Sequence, residues 1–286
     1  MAQRRTDLAL EAHELTRGAL RLKGVTTRER VSHGCRVTVV EVTSREAAEA
    51  LGKPVGTYVT LDLRDKPSDD AAAEAVGAEL RALLGGAERA LVVGLGNDAM
   101  TPDAVGPRAA AHVLVTRHLR ENPAFASFAS VSVLTPGVLG RTGLEAAETI
   151  RGAVAAVRPD AVIAVDALAS RSLARLCTTV QLSDTGIVPG SGVGNHRRAL
   201  DRDTLGVPVY AVGVPTVVDA ATLALDVLEE AGAAFGDPAA LRGHEGVLVT
   251  TRDVDAQVEA LARVVGCGVS LALHPIGVDE LRALLQ

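Results

Sequence analysis

The stretch Ala161-Val-Ile-Ala-Val-Asp166 decides the fold class, because five consecutive apolar residues end on a carboxylate. Such unbroken apolar runs are typical of parallel strands covered on both faces. Similar runs occupy residues 89–94, 129–134 and 207–213, and apolar residues recur at helical spacing in residues 103–120, 143–157, 217–231 and 254–265. This alternation predicts a three-layer α/β/α fold with a mainly parallel sheet.

The N-terminal third follows this alternation less regularly. Strands are predicted over residues 36–43 and 57–62, and an Ala-rich helix over residues 68–84. We expect residues 8–286 to form a single domain. Within it, residues 8–86 would form a smaller α/β portion that either extends the main sheet or stands beside it as a peripheral subdomain.

Composition and charge exclude several classes of function. The 286 residues include 29 Lys and Arg against 35 Asp and Glu, a net charge of -6, and only 2% are aromatic. These values argue against binding to nucleic acid, which needs basic surfaces and stacking platforms. Three widely spaced cysteines indicate a reducing, intracellular setting. No signal peptide or membrane span is recognised, so we expect a soluble protein that contacts no membrane.

Two polar stretches follow predicted strands, where α/β proteins bind ligands. Asp166 ends the first strand, and it either has a functional role or caps a following helix. The second stretch, Gly94-Leu-Gly-Asn97, leads into Thr101-Pro-Asp103. Thr101 is predicted to be the N-cap of the next helix, so Asp103 either has a functional role or serves the helix dipole.

A third candidate is the glycine-rich loop that contains Ser191, Asn195, His196 and Arg197. Its glycines lack the G-x-G-x-x-G spacing and the P-loop lysine, which weakens a nucleotide-binding interpretation. We expect it to shape a groove or lid, with His196 contacting a substrate carboxylate; the alternative is an ordinary connecting loop. Because the histidines show no metal-ligand spacing, no metal and no cofactor are expected.

Taken together, these stretches resemble the germination protease family, whose members degrade small acid-soluble spore proteins when spores germinate. The similarity runs from residue 5 to about residue 276, and its motifs occur in the same order. They are Arg5-Thr-Asp-Leu-Ala-Leu-Glu11, Val93-Gly-Leu-Gly-Asn97, Thr101-Pro-Asp-Ala-Val-Gly-Pro107, Val115-Thr-Arg-His-Leu119, Pro136-Gly-Val-Leu-Gly140, Asp166-Ala-Leu-Ala-Ser-Arg-Ser172, Asp184-Thr-Gly-Ile-Val-Pro-Gly-Ser-Gly-Val-Gly-Asn195, Gly213-Val-Pro-Thr-Val-Val-Asp219 and Leu271-Ala-Leu-His-Pro275. The chain is shorter than typical members after Asp219 and around Gly236.

The resemblance implies an acid-dependent endopeptidase with a fold similar to that of hydrogenase maturation proteases. Its two essential aspartates match Asp103 and Asp166. It also implies a self-processing zymogen, assembly as a homotetramer, and a location in the cytoplasm of the forespore or spore core. The substrates would be small acid-soluble spore proteins, with no direct contact between the enzyme and nucleic acid.

The N-terminal motif is similar to the family's maturation site. Cleavage between Asp7 and Leu8 would remove residues 1–7 as a propeptide; the alternative is a tail that enters a helix at Leu8. An acidic residue before the cut calls for a positive group, and Arg171, Arg197 and Arg198 are candidates.

Peptide hydrolysis needs a base and an acid, which two carboxyl groups can supply when their pKa values differ. The helix N-terminus is expected to keep Asp103 ionised, and the apolar strand to keep Asp166 protonated. In the zymogen, the N-terminal segment or a loop would block the pair until acidification releases it. Two alternatives remain open: a hydrogenase-maturation-type peptidase that recognises a metal on its partner, and a noncatalytic ligand-binding α/β protein.

Overall fold

The computed structural model describes residues 5–17, 22–65, 68–191, 197–232 and 246–285. Its strands are β1 (Val25–Ser32), β2 (Cys35–Val42), β3 (Gly56–Asp62), β4 (Arg89–Gly94), β5 (Ser130–Leu134), β6 (Ala161–Ser170), β7 (Thr179–Ser183), β8 (Val209–Asp219) and β9 (Leu248–Val249). Its helices are α1 (Ala9–Arg17), α2 (Arg45–Leu51), α3 (Asp69–Leu84), α4 (Val105–Ala110), α5 (Leu139–Thr142), α6 (Ala146–Val157), α7 (Arg202–Leu205), α8 (Ala220–Glu230), α9 (Val254–Leu273) and α10 (Val278–Leu285).

The strands form one sheet in the order β1-β2-β3-β7-β8-β6-β4-β5, with β9 paired to β8. Strands β5, β4, β6 and β8 are parallel, as the apolar runs predict, and β5 forms one edge of the sheet. Antiparallel pairing attaches β7 to β8 and β3 to β7. Through these contacts the N-terminal strands β1–β3 extend the main sheet.

Helices cover both faces of the sheet, which confirms the α/β/α fold class. One face packs on α3, α4 and α9, and this core includes Val37 and Val39 of β2. On the opposite face, Val40 and Val42 pack with α1 and α2, and α6 covers the central strands. The alternation along β2 follows from the two-residue period of a strand.

Helix α9 passes through the larger core. By length and composition it is the one helix in the described ranges that could cross a membrane, and 67% of its apolar window is buried. A Cβ added to Gly268 would lie 2.7 Å from Val76 Cγ1, so glycine permits the close approach of α9 to α3. This burial is what a core helix of a folded domain shows.

Several predicted element boundaries are wrong; the helix expected over residues 254–265, for example, continues to Leu273. The helix expected over residues 103–120 is reduced to α4, because a short 3-10 turn, Thr101–Asp103, precedes it and irregular backbone follows. Strand β6 continues past Asp166 to Ser170, since its pairing with β8 extends to Val218. No helix therefore begins after Asp166 for it to cap, and β8 likewise occupies the start of the helix expected at residue 217.

Candidate active site

Asp166 lies inside β6, where it pairs in register with Gly213 of β8. Its side chain is buried, and its Oδ1 accepts a hydrogen bond of 2.9 Å from the backbone N–H of Ala167. Burial raises the pKa of Asp166 well above the usual aspartate value, and the charges of Asp103 and Asp7 raise it further. A carboxyl in this setting holds its proton at pH values where exposed aspartates are ionised.

Asp103 ends the 3-10 turn that follows the loop after β4. Its Oδ2 accepts a hydrogen bond of 2.7 Å from the backbone N–H of Asn97. Burial raises the pKa of Asp103 more than this hydrogen bond lowers it. The expectation that a helix N-terminus would lower the pKa is therefore wrong, because α4 begins only at Val105. Thr101 is not an N-cap either, since its hydroxyl donates to Asp255 Oδ1 at 2.6 Å.

Glycines allow the two carboxyl-bearing segments to approach each other. A Cβ on Gly106 of α4 would lie 2.2 Å from the carbonyl oxygen of Leu95 and 2.4 Å from that of Val165. Gly96 has a φ of +114°, and a Cβ there would lie 2.0 Å from the carbonyl oxygen of Asp103. These contacts leave no room for a side chain at either position. The two glycines therefore allow α4 and the turn that carries Asp103 to pack closely against the end of β4 and the middle of β6.

A cavity of about 430 Å³ contains both carboxyl groups. A third acid, Asp7, also lines it, although the N-terminal segment is more than ninety residues away in sequence. Apolar side chains that include Met100 and Leu168 form much of its wall. In this largely apolar cavity, burial raises the pKa values of both Asp103 and Asp166, and the charge of Asp103 opposes ionisation of Asp166.

The N-terminal segment, residues 5–8, is held along β6. The backbone N–H of Asp7 donates to the carbonyl oxygen of Ala169 at 2.9 Å. In return, the Asp7 carboxylate accepts hydrogen bonds from the Ala169 N–H at 2.9 Å and from the Ser191 hydroxyl at 2.8 Å. Leu8 is completely buried, so the segment is part of the folded protein.

The carbonyl oxygen of Asp7 also accepts two hydrogen bonds. Lys53 Nζ, from the connection between α2 and β3, donates at 2.8 Å, and Gln181 Nε2 of β7 donates at 3.3 Å. Burial lowers the pKa of Lys53, while the charges of Asp7 and Glu11 raise it. Sequence reasoning missed both donors, since neither residue belongs to a recognisable motif.

The predicted arginines do not bind the Asp7 carboxylate. Arg171 donates from Nε to Asp226 at 2.6 Å, and Arg197 lies 3.4 Å from Glu145. Arg197 and Arg198 do line the cavity, but neither has a described contact with Asp7. Asp226 and Glu145 bind Arg171 and Arg197 instead. The Asp7 carboxylate accepts its hydrogen bonds from a backbone N–H and a hydroxyl group.

The remaining predicted residues are placed as follows. Asn97 contributes its backbone N–H to Asp103, while its side-chain oxygen accepts from Arg141 Nη1 at 3.3 Å. Asn195 and His196 lie outside the described residues. Within the described ranges, no cluster of three or more His, Cys, Asp or Glu side chains could hold a metal ion.

The sequence comparisons place this chain among the peptidases. A family model described as germination protease matches residues 4–239. The chain belongs to the germination protease family.

Its relatives share much of its length. It is 40% identical over 306 aligned residues to the germination protease of Caldanaerobacter subterraneus subsp. tengcongensis, covering 95% of this chain and 94% of that protein. It is 38% identical over 309 to that of Clostridium perfringens, covering 95% of each. It is 42% identical over 245 to that of Priestia megaterium, covering 79% of this chain and 66% of that protein.

A solved structure also aligns with the chain. It is the [NiFe] hydrogenase maturation protease HycI from Thermococcus kodakarensis KOD1, with a TM-score of 0.38 and 19% identity, covering 67% of this chain and 98% of that one.

Proposed function

We propose that this germination protease hydrolyses peptide bonds with Asp103 and Asp166 as an acid–base pair. The observation that carries the proposal is the shared cavity, in which both carboxyl groups have raised pKa values and Asp103 acts electrostatically on Asp166. Two interacting carboxyl groups titrate as a unit, so the pair retains one proton over a range of pH. That singly protonated pair contains the base and the acid that hydrolysis requires.

Asp166 is the better candidate for the protonated member. It is buried inside a strand and feels the charges of two neighbouring acids, whereas Asp103 receives the Asn97 N–H at 2.7 Å. In the proposed reaction, ionised Asp103 takes a proton from water as the water oxygen bonds to the carbonyl carbon and the C=O electron pair moves onto the carbonyl oxygen. The C–N bond then breaks, and the leaving nitrogen takes a proton from the pair.

The N-terminal segment supports self-processing between Asp7 and Leu8. Asp7 occupies the cavity of the proposed acid–base pair with its main chain hydrogen-bonded to Ala169 of β6. This is the arrangement of a bound peptide that adds to an extended strand. It also blocks the cavity to other substrates, which accounts for an inactive zymogen.

Recognition of the acid before the cut is assigned to Ser191 and the Ala169 N–H rather than to an arginine. Both donate to the Asp7 carboxylate within 2.9 Å. Hydrogen bonds to a charged acceptor are stronger than neutral ones. A substrate with an acidic residue followed by an apolar one would bind in the same way.

The family resemblance supports the remaining features of the proposal. The substrates are small acid-soluble spore proteins, the enzyme acts as a homotetramer, and it works in the cytoplasm of the forespore or spore core. Acidification promotes processing by protonating carboxylates of the cavity.

The decisive experiment is to incubate the full chain at mildly acidic pH and sequence its new N-terminus. We expect Leu8 as the first residue of the product, together with cleavage of a peptide containing Asp-Leu-Ala. Asp103→Asn and Asp166→Asn proteins should do neither. A new start at any other residue, or a fully active variant, would refute the proposal.

A further inference from the structure

We infer that Lys53 is a catalytic residue that stabilises the negative charge on the carbonyl oxygen of Asp7 when the Asp7–Leu8 bond is cut. The inference rests on the proposed self-processing and adds a third chemical group to it. Its basis is a contact with the atom that would react: Lys53 Nζ lies 2.8 Å from the Asp7 carbonyl oxygen.

A second side chain donates a hydrogen bond to the same carbonyl oxygen. Gln181 Nε2 donates to the same oxygen at 3.3 Å, while Gln181 Oε1 accepts from the backbone N–H of Ala9 at 2.7 Å. One amide thus contacts the chain on both sides of the Asp7–Leu8 bond. Two donors on one carbonyl oxygen, in a protected setting, form the arrangement known as an oxyanion hole.

The surroundings of Lys53 favour this role over that of a surface cation. Lys53 is half-buried, and it also donates to the carbonyl oxygen of Thr6 at 3.3 Å. Burial lowers the pKa of the Lys53 ammonium, and the nearby charges of Asp7 and Glu11 oppose that effect. A cation with little surrounding water interacts more strongly with a developing negative charge than an exposed one does.

The electron balance explains why the cation acts in the transition state. As the water oxygen bonds to the carbonyl carbon, the C=O electron pair moves onto the oxygen and the water proton goes to the ionised aspartate. The oxygen then carries a full negative charge beside Lys53. When this electron pair returns to re-form the C=O bond, the C–N bond breaks. The Leu8 nitrogen then receives the proton of Asp166, the protonated member of the proposed acid–base pair.

The test measures self-processing of the full chain by mass spectrometry. Wild type is compared with Lys53→Met, Lys53→Arg and the control Lys23→Met, which alters an exposed lysine. We expect Lys53→Met to slow cleavage by at least about 100-fold, the effect of removing one oxyanion donor. Lys53→Arg should retain most of the rate, and Lys23→Met all of it.

A second measurement separates catalysis from simple holding of the segment. In an uncleavable Asp166→Asn background, hydrogen exchange at residues 8–17 reports whether the N-terminal segment stays in place with and without Lys53→Met. Slow cleavage with unchanged protection supports the inference. Slow cleavage with lost protection would show that Lys53 only holds the segment in place, and this overturns the inference, as does an unchanged rate.

If wild type itself leaves the Asp7–Leu8 bond intact, the proposed function fails first. Should Lys53→Met not fold, Lys53→Gln replaces it, with the same expectations.

Discussion

Asp103 raises the pKa of Asp166 across a cavity that both line. The two residues belong to different strand–loop segments that are joined by a hydrogen bond of 2.8 Å from the Leu95 N–H to the Val165 carbonyl oxygen. The charge of Asp103 disfavours ionisation of Asp166, and the proposed acid–base pair depends on this interaction.

Replacing either aspartate by asparagine is expected to reduce peptide cleavage by at least about 100-fold, because general acid–base groups contribute about 10²–10⁴-fold to a rate. Each single variant should be as inactive as the double variant, since the two carboxyl groups act together. Initial rates on an Asp-Leu-Ala peptide measure this, and circular dichroism checks the fold. A variant that retains a tenth of the wild-type rate would contradict the acid–base pair.

Cleavage should slow as the pH rises. The raised pKa of Asp166 keeps the acid of the pair protonated under mildly acidic conditions, and that proton is lost as the pH passes through the raised value. The rate of self-processing, followed from weakly acidic to alkaline pH, should therefore fall on the alkaline side. Equal rates at mildly acidic and neutral pH would argue against this assignment.

Asp166 is also expected to make the protein less stable as the pH rises. A carboxyl whose folded pKa is raised binds its proton more tightly in the native state, so its favourable contribution is lost between the unfolded pKa of about 4 and the raised value. Comparing Asp103→Asn with Asp103→Asn/Asp166→Asn avoids self-cleavage. The melting temperatures should coincide near pH 4, and the double variant should be more stable by several degrees at neutral pH. Parallel curves at all pH values would contradict the expectation.

Ser191→Ala is expected to slow cleavage after acidic residues by about 10-fold or more, because a hydrogen bond to a charged group contributes about 1.5–3 kcal/mol. Cleavage of a matched peptide with Asn in place of Asp should change less. Ser132→Ala, in β5 and outside the cavity around the two aspartates, serves as the control. An equal loss on both peptides would show that Ser191 does not read the carboxylate.

Gly96→Ala is expected to destabilise the fold by more than about 1–3 kcal/mol and to abolish activity, since its φ is +114° and the new Cβ would lie 2.0 Å from the Asp103 carbonyl oxygen. Gly152→Ala is the control, because its position in α6 has nothing within 4 Å of an added Cβ. That change should stabilise the protein by about 0.5–1 kcal/mol. Chemical denaturation compares the two.

The sequence was most informative where burial is uniform. The apolar runs of β4 and β6 predicted parallel neighbours, and this arrangement is what brings the segments of Asp103 and Asp166 together. Strand β7 was missed because it carries Gln181 and other polar residues although it is wholly buried. The Gln181 side chain contacts Asp7 and Ala9, which are distant in sequence and leave no local pattern.

Contacts between residues distant in sequence also explain why the role of Lys53 was missed and why the arginines were expected at Asp7. Lys53 lies in the connection between α2 and β3, and only the folded chain brings it to Asp7. Arg171 was a reasonable candidate from charge alone, yet Asp226 holds it in place. Sequence identifies residue types suited to a reaction, while the three-dimensional competition for partners decides which of them are available.

The burial of Leu8 has a consequence for the processed chain. Its backbone N–H now donates to the Thr6 hydroxyl at 3.0 Å, and that hydroxyl donates at 2.5 Å to Glu11, an acid that is only 1% exposed. A cut before Leu8 would remove Thr6 and turn a neutral amide into an ammonium group at the start of α1, where the helix dipole disfavours a cation. Glu11, which already lies 3.7 Å from Arg175 Nε, would then face this ammonium group as a second cation. Maturation would thus replace the Thr6 hydroxyl, which links the Leu8 N–H to Glu11, by an ion pair between the Leu8 ammonium group and Glu11. The processed enzyme would carry its N-terminus within the folded structure.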